Sequence, residues 1–357
     1  MSWRINKTGD CLFTSCRLVL LLFVFLISSH HLFSQEQQAE NSYSTNFRIM
    51  FYNVENFFDP FDDTLTNDNE FLPKEIRYWN YARFIKKRNN IYKTIMAVGA
   101  WEPPAIIGLC EIENRFVLKQ LLYETPFAQF DYRIVQEESP DKRGIDVAFL
   151  FNPKVFRVID HKAIAINFPT NPESKTRDIL YVKGLTIQND TLHFFVNHWP
   201  SKYGGELSSE PKRIFVAEQL AKQIDLILAG NSEAAIIVMG DFNDYPTNRS
   251  VRNLLNSSEN KEQNRLINLM PQKKYNLGSY KYKGEWGVLD QIMVSHALLL
   301  QDKGIFVVGE AQIYSADFLL EEDDKFLGKM PFRTYKGMKY CGGFSDHLPV
   351  FVDFKIK

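Results

Sequence analysis

The sequence predicts a single α/β domain, sheets inside and helices outside. Three observations carry that prediction: apolar runs of four to eight residues recur along the chain, segments of helical spacing lie between them, and no internal repeat or Pro- or Ser-rich linker interrupts residues 45–357. Runs of that length bounded by turn residues read as buried strands, and strands alternating with helices favour a layered architecture. Composition agrees. Of 357 residues, 45% are hydrophobic and 24% charged, with 29 Phe and 16 Tyr, ample apolar surface to offset chain entropy and exclude a disordered chain.

The first segment reads as an address. Arg4, Lys7 and Arg17 precede an apolar run at 18–27, and Ser28, Ser29 and Ser34 lead into the Gln/Glu-rich 35–40, the order of a secretory signal peptide. The run is too short to cross a hydrocarbon core of about 30 Å. Residues 1–34 are therefore expected to be a cleaved signal, 35–44 a disordered segment, and 45–357 the domain, with no membrane span after cleavage and a secreted or periplasmic location. Cys16 lies before the apolar run, the wrong side for a lipid-carrying cysteine. Cys110 and Cys341 remain after cleavage, either as one bridge or as two free thiols. Their spacing suits no metal knuckle.

Within the domain, strands are expected at 47–52, 105–110, 145–151, 179–182, 192–196, 235–239, 289–294 and 350–354. Helical spacing appears in Ile85, Ile91, Ile95 and Val98, in 116–122, and in 214–228 after Pro211. Asn189-Asp190 marks a hairpin turn. With 42 basic and 43 acidic residues, the net charge is -1. A bulk polycationic clamp on nucleic acid is excluded; a locally basic groove is not.

Many of the apolar runs end in acids, amides or histidine: Asn53 and Glu55, Glu111 and Glu113, Asn197 and His198, Asp241 and Asn243, Asp290, then Asp346 and His347. Any one cluster has a local explanation as a turn or helix cap. Recurrence after six strands points to one rim of an α/β sheet, where ligands bind. Carboxylates, amides and two histidines, without a nearby cysteine or a His-x-x-x-His spacing, suit a hard cation such as Mg²⁺ or Mn²⁺ and disfavour zinc. Such an ion leaves coordination positions open to phosphate oxygens. A histidine beside a carboxylate stays protonated in one orientation, and another Asp orients or deprotonates water. That chemistry is phosphoester hydrolysis.

Phe51-Tyr52-Asn53-Val54-Glu55-Asn56, Gly108-Leu109-Cys110-Glu111, Asn197-His198-Trp199-Pro200-Ser201, Gly240-Asp241-Phe242-Asn243, Leu289-Asp290-Gln291 and Ser345-Asp346-His347-Leu348-Pro349 resemble the motifs of the endonuclease/exonuclease/phosphatase family. The likeness spans about residues 45–357 and is greatest to the family's secreted nucleases. It implies a four-layer α/β/β/α sandwich, two mixed β-sheets flanked by helices, with the metal at one edge. It also implies roles: Glu111 binds the metal with Asn53 beside it, and Asp346 helps bind or tune it. Asp241 positions or activates water and Asn243 holds the phosphoryl group. His347, oriented by Asp290, transfers a proton or stabilises the phosphorane, and His198 contacts the scissile phosphate. No counterpart of the mid-chain tyrosine of abasic-site members is found, so abasic-site repair is not expected.

Arg143 and Arg177 read either as phosphate clamps or as structural ion pairs, and Asn197 as a substrate contact next to His198. Trp79, Tyr81, Trp199 and Tyr203 read as base-stacking rings or as packing. Lys202, Lys212 and Arg213 read as backbone contacts or as a helix start. The acidic stretch at 59–70 lacks the spacing of a calcium loop and reads as a solvated insert. The expectation is a secreted Mg²⁺-dependent (Mn²⁺ possible) phosphodiesterase, a nuclease acting on DNA or RNA, with no stable protein partner. A phosphatase or a sphingomyelinase-like phospholipid phosphodiesterase is the alternative. A non-catalytic cell-surface binding protein is the third, and the intact residue set argues against it.

Overall fold

Strands buried on both faces must be apolar at every position, and the longest apolar runs of this chain form the middles of two six-stranded sheets. The computed structural model describes residues 47–100, 102–202, 204–256, 265–270, 277–301 and 304–357; the expected signal peptide and the 35–44 segment lie outside them. In the first half run β1 (Phe47–Phe57), α1 (Tyr81–Gly99), β2 (Ile106–Ile112), α2 (Arg115–Tyr123), β3 (Arg133–Gln136), β4 (Asp146–Phe151), β5 (Phe156–Ile164), β6 (Ile179–Thr186) and β7 (Thr191–His198). Then come α3 (Glu206–Gly230), β8 (Ala235–Asp241), α4 (Arg249–Leu255), β9 (Ile267–Asn268), β10 (Tyr280–Tyr282), β11 (Glu285–Gly287), β12 (Asp290–Val294) and β13 (Ile305–Ile313). Two short hairpins, β14 (Leu320–Glu322) with β15 (Lys329–Pro331) and β16 (Tyr335–Lys336) with β17 (Lys339–Tyr340), precede the last strand, β18 (Val350–Ile356).

One sheet has the order β13-β18-β1-β2-β4-β3, the other β5-β6-β7-β8-β12-β9. Each contains one parallel pair, β1 with β2 and β7 with β8, bridged by the crossover helices α1 and α3; the remaining pairs are antiparallel. Period-two geometry divides each central strand between two cores. Phe47, Ile49 and Phe51 of β1 meet Val196, Ile237 and Met239 between the sheets. Met50, Tyr52 and Val54 face α1 and α2. Ile236 and Val238 of β8 face α3 and α4 on the far side. The layers are helices, sheet, sheet, helices, as expected from the resemblance. Among the described residues, no helix is long and apolar enough to cross a membrane.

Several expectations change in detail. Helix α3 starts at Glu206, so Pro211 lies inside it instead of ahead of it; the Ser208 and Ser209 hydroxyls donate to the Gly205 carbonyl at 3.0 and 2.8 Å in the first turn. The 59–70 stretch is mostly exposed, as expected, but two of its acids are not: Asp59 and Asp68 are buried, the Asp59 N–H donates to Glu113 at 2.6 Å, and the Asp63 N–H donates to Asp68 at 3.1 Å. Cys110 and Cys341 are both free. The Asn189-Asp190 hairpin joins β6 to β7, with Asn189 at φ 67°.

Candidate active site

Strand register brings the polar ends together. His198 ends β7 and stands opposite Asp241, which ends β8; Asp241 stands opposite Asp290, which opens β12. Gly240 makes this possible, because a Cβ there would lie 2.5 Å from the Asn197 carbonyl oxygen. The other sheet closes on the same edge. The Asn53 amide donates to Asp241 Oδ2 at 3.1 Å and to Glu111 Oε1 at 3.3 Å.

Local irregularities aim these side chains. The β1–β2 register shifts between Asn53 and Phe57, and the β2–β4 register between Cys110 and Ile112. Glu55, Asn56 and Glu111 sit there with φ of 52°, 52° and 61°, and Asn243 follows β8 at 49°. Left-handed backbone at non-glycine residues costs free energy and is retained where a side chain must be redirected. The Asn56 N–H fixes Glu111 Oε2 at 2.8 Å, and the Asn243 N–H fixes Asp241 Oδ1 at 2.9 Å. Ser345 ties the last motif to β1 by donating to the Asn53 carbonyl at 2.7 Å, and its hydroxyl accepts the His347 N–H at 3.1 Å.

His347 Nδ1 is 2.7 Å from Asp290 Oδ2, and His347 Nε2 is 3.8 Å from Asp241 Oδ2. Burial alone would favour a neutral ring, but the Asp290 and Asp241 charges outweigh it and lift the imidazole pKa well above its usual range. These two carboxylates favour the charged form of the His347 ring. Asp241 is pushed up to about 6, chiefly by burial and by Asp290, against the opposing pull of His347. His198 goes the other way: burial first, then the Arg177 and Arg143 charges, holds it well below the normal range. Its Nε2 lies 3.7 Å from Asp241 and 3.9 Å from Glu111. The two histidines of one pocket are thus shifted in opposite directions.

Glu111, Asp241 and Asp290 have no Lys or Arg within 4.0 Å among the described residues, and Asp290 Oδ1 is buried without a hydrogen-bond partner. Three carboxylates of that kind beside an amide suit a hard divalent cation. Asp241, Asp290 and His347 offer ligand atoms all within 4.8 Å of one another. Asp346, expected to bind or tune the metal, is ion-paired with Arg333. Burial alone would raise its pKa, but Arg333 and His347 hold it below the usual carboxylate range.

The expected substrate contacts separate. Asn197 is fully buried; its amide donates to the Phe195 and Met239 carbonyls at 3.2 and 3.3 Å and accepts from Trp199 Nε1 at 3.2 Å. It braces the loop after β7 from beneath. Arg177 is also buried, held by Asp141 at 3.0 Å and the Trp199 carbonyl at 2.6 Å. Arg143 is 48% exposed beside the same Asp141 at 3.4 Å, leaving its guanidinium accessible. The Asn243 side chain donates to the Trp199 carbonyl at 3.1 Å.

Among the aromatic and basic expectations, Trp79 and Trp199 are core residues. Trp199 packs edge-on against Phe242 at 4.8 Å. Tyr81 is half exposed beside Phe84, and Tyr203 lies outside the described residues. Arg213 is fully buried against Asp244 at 2.7 Å, not on a groove, and Lys212 donates to Ser174 at 2.9 Å. Lys202 reaches Glu206 at 2.9 Å and Asp244 at 3.4 Å.

Three groups were missed. Tyr280 lies on His347, ring centroids 4.7 Å apart. Arg333 joins Asp346 to Glu55, and Lys87 on α1 donates to Thr334 and the Phe344 carbonyl at 2.6 and 2.7 Å. None ends a strand of an apolar run, so none carries the pattern that marked the others.

A model of the endonuclease/exonuclease/phosphatase family matches residues 48–356. No curated protein matches the sequence. The fold is shared with the human Nocturnin catalytic domain solved with a bound sulfate anion, at 17% identity, covering 87% of this chain and 95% of that one, with a TM-score of 0.52. A mannosyl-6-phosphatase of Bacteroides thetaiotaomicron gives 15% identity, coverage of 86% and 99%, and a TM-score of 0.53. TDP2 of D. rerio, solved with a single-strand DNA product, gives 15%, 87% and 99%, and 0.51. Identities this low establish a common fold. With the family model spanning almost the whole described body, the chain belongs to the endonuclease/exonuclease/phosphatase family.

Proposed function

We propose that this chain is a divalent-metal-dependent phosphodiesterase, a nuclease acting on DNA or RNA after export. The observation that carries the reading is the Asp290–His347 pair set against Asp241, with Glu111 and Asn53 brought to the same edge from the other sheet. Mg²⁺ or Mn²⁺, when bound, supplies Lewis-acid stabilisation of charge on a phosphoryl oxygen. Glu111 and Asp241 are the residues suited to hold it, with Asn53 beside them donating to both carboxylates and His347 Nδ1 committed to Asp290.

The chain's own groups supply the rest. Asp241, with one oxygen fixed by Asn243 N–H, is placed to orient water and take its proton. His347 presents Nε2–H on a charged ring, a strong donor to an oxygen gaining negative charge. His198, neutral and between two carboxylates, adds an uncharged donor. Arg143 is the accessible guanidinium for a neighbouring phosphate.

A phosphomonoesterase is the second reading, favoured by the near-neutral charge of the chain and by the mannosyl-6-phosphatase of the same fold. Export rests on the residue order at 1–34, and N-terminal sequencing of the exported protein tests it. The test of activity is a panel of plasmid DNA, RNA, a phosphomonoester and sphingomyelin, each with Mg²⁺ and with EDTA. Metal-dependent shortening of nucleic acid supports the nuclease. Hydrolysis of the monoester or sphingomyelin alone transfers the assignment, and silence across the panel removes it.

A further inference from the structure

The acids of this centre fall into two sets that differ in what neutralises them. Glu111, Asp241 and Asp290 have histidines and no Lys or Arg as basic side chains within 4.0 Å among the described residues. Glu55 and Asp346 are different. Arg333 pairs with Asp346 through Nη2 and places Nε 3.9 Å from Glu55 Oε1, while Lys87 Nζ lies 3.8 Å from Glu55 Oε2. Two carboxylates thus face two fixed cations. Glu55 Oε2 also accepts the Thr334 N–H at 2.7 Å. Lys87 is 1% exposed and anchored by Thr334 and Phe344, so it cannot swing away.

We propose that Arg333 is a resident cation which, with Lys87, satisfies Glu55 and Asp346, so that the centre takes up one divalent ion on the Glu111–Asp241 side and Asp346 is not among its ligands. This rests on the reading of the site as a divalent-metal centre. The physical reason is charge balance: a second dication beside Asp346 would have to displace or approach a guanidinium already in ion-pair contact, and the gain would be offset by repulsion and lost hydrogen bonds. Tyr280 packs over His347 beside this pair. Arg333 is in these terms a positioning residue, acting through Asp346.

The experiment is Mn²⁺ binding to the purified protein at pH 8, read by calorimetry and by the loss of the free-ion electron paramagnetic resonance signal. Wild type and Arg333→Lys should bind one ion. Arg333→Met, which leaves Asp346 uncompensated, should bind a second with a Kd of at most about 1 mM. The double variant Arg333→Met/Asp346→Asn restores neutrality and should return to one ion, with an affinity within about threefold of wild type; a ligand's removal would instead weaken it by about tenfold or more. Two ions in wild type, one in Arg333→Met, or a tenfold weaker double variant overturns the proposal while leaving the metal centre standing. Should Arg333→Met fail to fold by circular dichroism, the wild type and the charge-balanced double variant decide. No Mn²⁺ uptake by the wild type overturns both this and the metal reading beneath it.

Discussion

Asp290→Asn isolates the charge that does most to raise the His347 pKa. Asp290 is fully buried, its Oδ2 is 2.7 Å from His347 Nδ1, and its backbone N–H is held by the Ser279 hydroxyl at 3.1 Å. Asn keeps the shape and removes the charge. With charge centres about 4 Å apart and an effective dielectric constant of about 20, the pair is worth about 4 kcal/mol. Retained dipolar interaction leaves a loss of about 2–4 kcal/mol, or roughly 30- to 1000-fold in rate if the charged ring is needed in the transition state. The pH profile carries a second signature. His347 has its pKa raised in wild type, so the imidazolium form persists below that pKa and is lost as pH rises through it; without Asp290 this loss moves to lower pH. The assay is kcat against pH from 5 to 9 on bis(p-nitrophenyl) phosphate with saturating Mn²⁺. The variant should be slow at pH 8, with its alkaline limb at lower pH than in wild type, closer to the acid limb set by Asp241. A rate within threefold of wild type at pH 8, with an unmoved alkaline limb, would refute the reasoning.

Arg143→Ala should raise KM about tenfold without changing Tm, since the exposed guanidinium contributes little to the fold; a large fall in Tm would show it to be structural. Gly240→Ala forces a Cβ against Asn197 and should cost about 1–3 kcal/mol while displacing Asp241, so an unchanged urea midpoint with full activity contradicts the packing argument. Glu113 is pushed up to about 9 by burial and by Asp59, Asp68 and Asp63. Its folded pKa exceeds the unfolded one, so its contribution is fully present below the ordinary carboxylate range and is lost as pH climbs towards 9. Glu113→Gln, which cannot ionise, should therefore exceed wild type by about 1–3 kcal/mol at pH 8 and match it near pH 4.5. Equal urea midpoints at both pH values would contradict this.

The eight strands legible in the sequence are the interior strands of both sheets: β18, β1, β2 and β4 in one, β6, β7, β8 and β12 in the other. Those missed in the two large sheets, β3, β5, β9 and β13, are their four edges, and the six strands of the short hairpins were missed as well. Interior strands bury both faces and leave an unbroken apolar run, whereas β5 reads Phe-Arg-Val-Ile-Asp-His-Lys-Ala-Ile and is mostly exposed. The same logic governs the site. Asn53, Glu111, His198, Asp241, Asp290 and His347 lie at the ends of interior strands or in a motif leading into one, so local pattern marks them. Arg333, Tyr280 and Lys87 come from a loop, a short hairpin and a helix. Only the three-dimensional path brings them to Asp346 and His347. Asn197 and Arg177 show the converse: the chemistry of a residue type suggested a contact that burial assigns to the scaffold.

The central claim is that side chains from both sheets form one metal-dependent centre for phosphoester hydrolysis. Its most direct test is the initial rate of diester hydrolysis by wild type and His347→Ala, each with Mn²⁺, after EDTA, and after Mn²⁺ is restored. Wild type should hydrolyse the diester, lose that activity to EDTA and regain it with metal, and His347→Ala should fall by about 10²–10⁴-fold while keeping its circular dichroism spectrum. A wild-type rate indifferent to EDTA, or a His347→Ala rate equal to wild type, would contradict the account.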